Sequence, residues 1–255
     1  MEHKKKPLII AFATQKGGVG KTTFSVLAAS YLYYKLGYNV ALVDCDYPQY
    51  SIEKMRKRDL KQIDIDDDYR MMAYDQFTKL GKKTYPILTS SAENAIQTAT
   101  DYANASSVTL DIIFIDIPGT VNTDGVLKTL ANVDYLFTPI ISDRLVLESG
   151  LSFAIGINEH IVLNPEYNLK GIYLFWNKVD RRERTNLYEI YEKTIHEFGL
   201  SILKTTIPDA KRYRKEIAEE GRPAFRSTVF PIHKKMIKGS NFDELMKEIL
   251  HIIKL

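Results

Sequence analysis

The densest chemistry in the chain lies in nine residues near its start, Gln15-Lys16-Gly17-Gly18-Val19-Gly20-Lys21-Thr22-Thr23. Glycines at 17, 18 and 20 let successive backbone N–H groups curl round phosphate oxygens, because no Cβ blocks the approach. A helix beginning near Lys21 adds its N-terminal N–H groups and dipole. In such a loop Lys21 reaches the β- and γ-phosphates of a nucleotide and the Thr22 hydroxyl binds Mg²⁺, with Val19 and Thr23 completing the cradle. Three carboxylates fit the same chemistry. Asp44 and Asp46 flank Cys45, and Asp116 ends the apolar run of Asp111–Gly119 (DIIFIDIPG). Asp116 can hold Mg²⁺ through water, and Gly119 can offer a backbone N–H near a γ-phosphate. An Asp pair after a strand also caps turns and helices, so Asp44 and Asp46 gain their meaning from the phosphate loop beside them.

These groups act together only if the fold brings them to one edge. Each follows a short apolar run that reads as a buried strand: Leu8–Thr14, Asn39–Cys45 and Leu110–Ile117. Further strands are expected at 86–90, 135–141, 171–176 and 202–206. Helices are expected over 22–36, ended by Gly37, and over 51–60, 68–80 and 92–106. The acidic run 64–68 separates the second and third of these. Strands alternating with helices predict an α/β fold, a doubly wound, mostly parallel sheet flanked by helices. Such sheets bind ligands beyond the carboxyl ends of their strands, where Lys16–Thr23, Asp44, Asp46 and Asp116–Gly119 fall. No linker rich in Gly, Pro or Ser and no repeat interrupts residues 1–255, so one domain is expected.

Composition narrows the class. The 255 residues are 45% hydrophobic and 26% charged, which excludes a disordered or collagen-like chain. The single cysteine, Cys45, excludes an internal disulfide and a cysteine-built zinc or iron–sulfur site within the chain. It points to a reducing cytoplasm. The N-terminal basic and apolar residues are too short for a secretory leader, and no uninterrupted apolar stretch approaches the ~20 residues of a membrane span. The net charge of +3 is compatible with nucleic acid without demanding it.

The loop departs from the common pattern G-x-x-x-x-G-K-[ST], with Gln15 in place of the first Gly and Lys16 beside it. In this it resembles the deviant Walker A loop of the ParA/MinD family, K-G-G-x-G-K-[ST]-[ST]. The resemblance runs from Leu8 to the last helix and implies a P-loop ATPase that uses ATP and Mg²⁺. It implies that Lys16 crosses a homodimer interface to the phosphates of the other subunit, adding charge there as an arginine finger does. It implies that Asp44 supports Mg²⁺ and its waters and that Asp46 positions the attacking water. The family usually continues Asp-Pro-Gln, whereas this chain reads Asp46-Tyr47-Pro48-Gln49, one residue longer. Gly119 stands where Asp-x-Pro-Pro is more usual.

The base is read less simply. Asn177-Lys178-Val179-Asp180 matches the guanine-reading pattern of GTPases, and Asp116–Gly119 fits Asp-x-x-Gly. Against this stand Lys16-Gly17-Gly18 and the Asp44/Asp46 pair. In the resembling family an Asn at this place contacts adenine, and an Ile-Pro pair, here Ile207-Pro208, lines the base pocket. ATP is therefore the expected nucleotide, with Asp180 pairing Arg181 or Arg182 at the surface.

The phosphate motif opens the chain, as in the short ParA type without an N-terminal helix-turn-helix, and the segments near 44–50 and 176–184 resemble ParA-like proteins of conjugative transposons. Iron–sulfur relatives of this fold need more cysteines, and the related tyrosine kinases carry a C-terminal tyrosine cluster absent here. The stripe Phe242, Leu245, Met246, Ile249, Leu250 and Ile253 predicts a helix packed on the sheet. Its polar face holds Asp243, Glu244 and Glu248, unsuited to a membrane surface. Residues 204–238 hold ten basic against four acidic side chains. By resemblance, Lys211, Arg212, Arg214 and Arg226 there bind DNA nonspecifically in the ATP dimer, with a ParB-like or conjugation-machinery protein stimulating hydrolysis. A GTPase switch and a nucleotide-gated assembly factor with little turnover are the alternatives.

Overall fold

Residues 5–119, 123–180, 187–217 and 224–255 are described in a computed structural model of the chain. Seven strands form one sheet: β1 (Leu8–Phe12), β2 (Val40–Asp44), β3 (Ile87–Thr89), β4 (Ile112–Asp116), β5 (Tyr135–Ile140), β6 (Ile172–Trp176) and β7 (Ser201–Ile202). Their order is β3-β2-β4-β1-β5-β6-β7, and every pairing is parallel. Helices make the crossovers that parallel strands require. They are α1 (Lys21–Ser30), α2 (Ser51–Ile65), α3 (Asp67–Leu80), α4 (Ala95–Ala105), α5 (Asp124–Asn132), α6 (Arg144–Ile157) and α7 (Leu187–Glu197), followed by the short α8 (Lys234–Ile237) and by α9 (Phe242–Ile253). The expected doubly wound α/β sheet is thus present and wholly parallel.

Strand residues alternate between two apolar layers. Ile10, Phe12, Phe114, Phe137 and Phe175 pack with α1 and α9 on one face. Ile9, Ala11, Ile113, Ile115 and Trp176 pack with α4, α5 and α6 on the other. Phe12 touches the rings of Phe24, Phe114, Phe137 and Phe175, and Phe24 meets Phe175 edge-on at 4.9 Å. Burying each such ring contributes about 1.5–3 kcal/mol. A one-residue slip would turn every ring to the wrong face, so this packing fixes the register. Phe12, Asp116, Asp44 and Thr89 consequently stand in one row across β1, β4, β2 and β3. The sheet order reverses at β1, which opens the crevice where these carboxyl ends meet.

Four sequence expectations are corrected in detail. The helix expected over 22–36 changes after Ser30 into a wide π turn, Tyr31–Lys35. The wide turn carries the buried Tyr33 and Tyr34, whose hydroxyls donate to the Lys83 carbonyl at 2.6 Å and the Thr228 carbonyl at 2.9 Å. The acidic run does not separate two helices: α2 continues through Ile65, and Asp66 alone breaks it, accepting from the Asp68 and Tyr69 N–H groups to cap α3. The last strand is only Ser201–Ile202, because Glu248 of α9 accepts the Lys204 and Thr205 N–H groups that a longer strand would use. Finally, α6 with its π turn, Arg144–Val162, is long and apolar enough to cross a membrane by length and composition. A third of that stretch is buried, with Leu147, Leu151, Phe153, Ala154 and Ile157 packed in the layer against the sheet.

The α9 stripe is spent on the core as expected: Phe242, Leu245, Met246, Ile249 and Ile253 are all buried. A polar clamp secures the chain just before it. Asp59 on α2 has no exposed surface and accepts from the Thr228 N–H at 2.7 Å, the Thr228 hydroxyl at 2.8 Å and the Ser227 hydroxyl at 3.2 Å. Arg56 donates to the Thr228 carbonyl and to the Tyr85 carbonyl. Asp59→Ala strands these donors in the interior, which costs about 1–3 kcal/mol for each one left unpaired. A urea denaturation midpoint well below wild type is expected, and a midpoint within error of it would show that segment 227–230 does not depend on Asp59.

Candidate nucleotide-binding site

The strand-to-helix loop after β1 wraps over the row of carboxyl ends. Gly18 has φ 75 and Gly20 has φ 103, left-handed values that disfavour a side chain. A Cβ on Gly20 would also lie 3.1 Å from Asn177 Nδ2 and 3.2 Å from the Phe24 ring. Lys21 opens α1 and folds back over the loop, donating to the Lys16 carbonyl at 2.9 Å and the Thr14 carbonyl at 3.3 Å. Burial pulls its pKa below the ordinary lysine value, while Asp116 and Asp46 act against that shift. A cavity of about 300 Å³ lies over the loop, lined by Gly17, Gly18, Lys21, Thr22, Asp46 and Gly119. Lys16, which precedes Gly17 in the chain, is exposed.

Asp116 is the fixed point of this cavity. It is fully buried and accepts from the Thr22 hydroxyl at 2.8 Å and the Ser25 hydroxyl at 2.9 Å. Desolvation raises its pKa to about 7, although both hydroxyl bonds oppose the rise. With its proton held by Asp116, the Thr22 oxygen keeps its lone pairs for a cation, and Asp116 can bind that cation's waters. Among the described residues no cluster of three or more His, Cys, Asp or Glu side chains is poised for a metal. A single hydroxyl backed by one buried carboxylate fits Mg²⁺, which keeps several waters and binds through one or two protein groups and phosphate oxygens.

The two other carboxylates part company. Asp46 is half-exposed and lines the cavity, with its charge acting on Lys21. Asp44, expected as a metal-supporting group, points instead at the start of α2. Its Oδ2 accepts the Ile52 N–H at 2.8 Å and the Glu53 N–H at 3.1 Å, and Oδ1 accepts the Asp46 N–H at 3.3 Å. It caps α2 from the end of β2, the strand that leads into that helix, and Tyr50 at the cap position offers no side-chain bond. The extra residue at Tyr47 is taken up in a tight turn, with the Tyr50 N–H on the Asp46 carbonyl at 2.7 Å.

A second cavity of about 160 Å³ adjoins the first and shares Gly18, Gly20 and Thr23 with it. Asn177, Pro208, Tyr213 and Arg226 line it. Asn177 donates from Nδ2 to the Val19 carbonyl at 2.8 Å, and Lys178 donates to the Gly18 carbonyl at 2.8 Å. Ile207, expected beside Pro208, packs into the core and does not line the cavity. The expected partners of Asp180, Arg181 and Arg182, lie outside the described residues, as does Arg222 of the basic segment.

Within that segment Lys211 and Arg214 are exposed. Arg212 is half-buried and donates to the Met236 and Lys238 carbonyls at 2.7 Å each. Arg226 is only 20% exposed at its side chain, donates to the Thr23 hydroxyl at 2.6 Å and pairs with Glu216. It belongs to the nucleotide cavity and not to an open basic face. Sequence reasoning also missed Ser25, although its place three residues after Thr22 puts both hydroxyls on one helix face. Lys178 carried a signal too, as the second residue of Asn-Lys-x-Asp.

Residues 10–223 match the CobQ/CobB/MinD/ParA nucleotide binding domain. The chain belongs to this family. Among curated proteins nothing matches. Solved structures show the same fold at low identity. A plasmid partition protein from Borrelia burgdorferi B31 bound to AMPPNP is 19% identical, with a TM-score of 0.60 over 98% of this chain and 100% of that one. The pNOB8 ParA bound to nonspecific DNA is 19% identical, with a TM-score of 0.55 over 98% and 99%. Cobyrinic acid a,c-diamide synthase from Mycobacterium smegmatis, with bound ADP and magnesium, is 20% identical, with a TM-score of 0.52 over 81% and 88%.

The raised pKa of Asp116 gives the nucleotide-free fold a pH dependence. Between the ordinary carboxyl value of 3.8 and about 7 the folded state binds a proton that the unfolded chain releases, so stability falls as pH rises through that window. Asp116→Asn should flatten this fall in denaturant unfolding between pH 5 and pH 8. An unchanged slope would show that Asp116 is ionised throughout.

Proposed function

We propose that the chain is a single-domain, Mg²⁺-dependent ATPase of the partition type, in which ATP binding governs dimerisation and DNA binding. The observation that carries this reading is the Thr22–Asp116–Ser25 clamp beneath the same cavity that Lys21, Asp46 and Gly119 line. The glycine loop would hold the phosphates by backbone N–H groups, and Lys21 would leave its carbonyl partners for the β- and γ-oxygens. Mg²⁺ supplies charge neutralisation on the transferring phosphoryl group. Asp46 would orient the attacking water, and the exposed Lys16 would reach the phosphates of a second copy. The relatives bound to AMPPNP and to ADP with magnesium support the nucleotide and the cation.

Asn177 and Pro208 in the adjoining cavity are the proposed base contacts, with ATP preferred. A guanine-reading site is the competing possibility, favoured by the Lys178 bond to the phosphate loop within Asn-Lys-x-Asp. The partition reading rests on the DNA-bound relative and on the exposed Lys211 and Arg214. A ParB-like activator or, by the narrower resemblance, a conjugation component would stimulate turnover in the cytoplasm.

Asp46→Ala should keep ATP affinity and lower hydrolysis on the order of 100-fold or more. Lys21→Ala should weaken ATP binding roughly 10- to 100-fold, since a charged hydrogen bond to phosphate disappears. Calorimetry and phosphate release check both, and the same titrations should rank ATP above GTP. Full turnover in Asp46→Ala, or tighter GTP binding, would overturn these assignments in turn.

DNA binding should require ATP, ignore sequence and weaken with salt. Reversing Lys211 and Arg214 should flatten the slope of log affinity against log salt by about 0.9 for each phosphate no longer neutralised. Equal binding without ATP, indifferent to these changes, would remove DNA from the function.

A further inference from the structure

The two cavities meet at Thr23, and a nucleotide must cross that junction. With its terminal phosphates over Lys21 and Thr22 and its base near Asn177 and Pro208, its α-phosphate lies where the cavities share Gly18, Gly20 and Thr23. Three cationic side chains line the second cavity, Lys178, Arg214 and Arg226, and among the described residues Arg226 is the one bonded to Thr23. Arg226 lines the second cavity and donates from Nη1 to the Thr23 hydroxyl at 2.6 Å. Its Nε is buried and has no hydrogen-bond partner among the described residues. A buried guanidinium with a spare donor is an incomplete arrangement, since such donors are almost always paired.

We propose that Arg226 is a nucleotide-contacting residue whose guanidinium binds the α-phosphate, an inference that rests on the nucleotide reading of this site. A guanidinium suits the task, because its planar fork can give two parallel bonds to phosphate oxygens. The surroundings allow it to turn. Glu216, its present partner, is also paired with Arg58, so Arg226 can move to a phosphate without leaving the Glu216 charge alone. Glu216 is thus a positioning residue that holds the guanidinium near the junction. The backbone of Arg226 is fixed independently, its N–H on the Lys215 carbonyl at 2.9 Å, so the swing belongs to the side chain.

The contact would link nucleotide occupancy to the basic segment. Lys215, whose carbonyl accepts both the Phe225 and Arg226 N–H groups, directly follows the turn that carries Lys211 and Arg214. An arginine that appears in sequence as one more surface cation would then sense whether the site is filled.

The test is equilibrium binding of ADP and ATP to the full chain, wild type against Arg226→Met and Arg226→Lys. Removing a charged, two-pronged interaction should weaken both nucleotides by the same factor, about 10- to 100-fold, because both carry the α-phosphate. Arg226→Lys keeps the charge without the fork and should recover part of the affinity. It also serves if the methionine variant folds poorly, which nucleotide-free melting would show. Wild type should distinguish the two diastereomers of ADPαS, and both variants should narrow that preference, which a purely structural role would leave unmoved. Variants that bind ADP as wild type does, or that lose ATP affinity alone, overturn the assignment while leaving the site itself standing. A wild-type chain that binds neither nucleotide overturns the nucleotide reading and this inference with it.

Discussion

The arrangement depends on keeping one carboxylate, Asp116, entirely out of water. An ionised carboxylate in such a place is expensive unless it is hydrogen-bonded and faces a cation. The hydroxyls of Thr22 and Ser25 meet the first need, and Lys21 lies close enough to contribute to the second. Both hydroxyls and the ammonium come from the first turns of one helix. The start of α1 is therefore locked to the end of β4, a segment far along the chain. The loop between β1 and α1 has no freedom to open without breaking these bonds, so its glycines are held in their left-handed shape before any ligand arrives.

The aromatic layer under the loop provides the matching constraint from below. Phe24, one turn into α1, packs against Phe12 and Phe175, so three elements that contribute to the site share one rigid floor. Asn177 follows Phe175 by two residues and reaches the Val19 carbonyl from that floor. The phosphate loop is thus tied on one side to β4 and on the other to the end of β6.

Much of this was legible in the sequence. Short apolar runs ending in Gly, Asp or Asn marked the strands and their active ends, because a buried parallel strand must be apolar throughout and its loop must supply the polarity. Most of the features that were not legible depend on contacts between distant segments. Asp44 looked like a metal-supporting group, yet α2 arrives with no cap of its own and takes the carboxylate for itself. Arg226 looked like a surface cation because ten basic residues crowd its neighbourhood, and sequence gives no sign of which one turns inward. Asp66 ends α2 through a local cap that a run of five residues, four of them acidic, conceals. Glu248 shortens β7 from 44 residues beyond Lys204. Asp44 and Glu248 each took over backbone N–H groups that local pattern had left to other partners.

The shortness of β7 has a consequence for how the molecule meets its own kind. Both margins of the sheet are stubs, three residues at β3 and two at β7, and beyond the latter Glu248 occupies the backbone donors that would otherwise be open. A sheet finished in this way offers almost no ladder for another chain to extend, and so resists the indiscriminate stacking to which exposed strands are prone. Copies of this protein can then crowd together without fusing side by side. Any pairing between them must be made elsewhere on the surface.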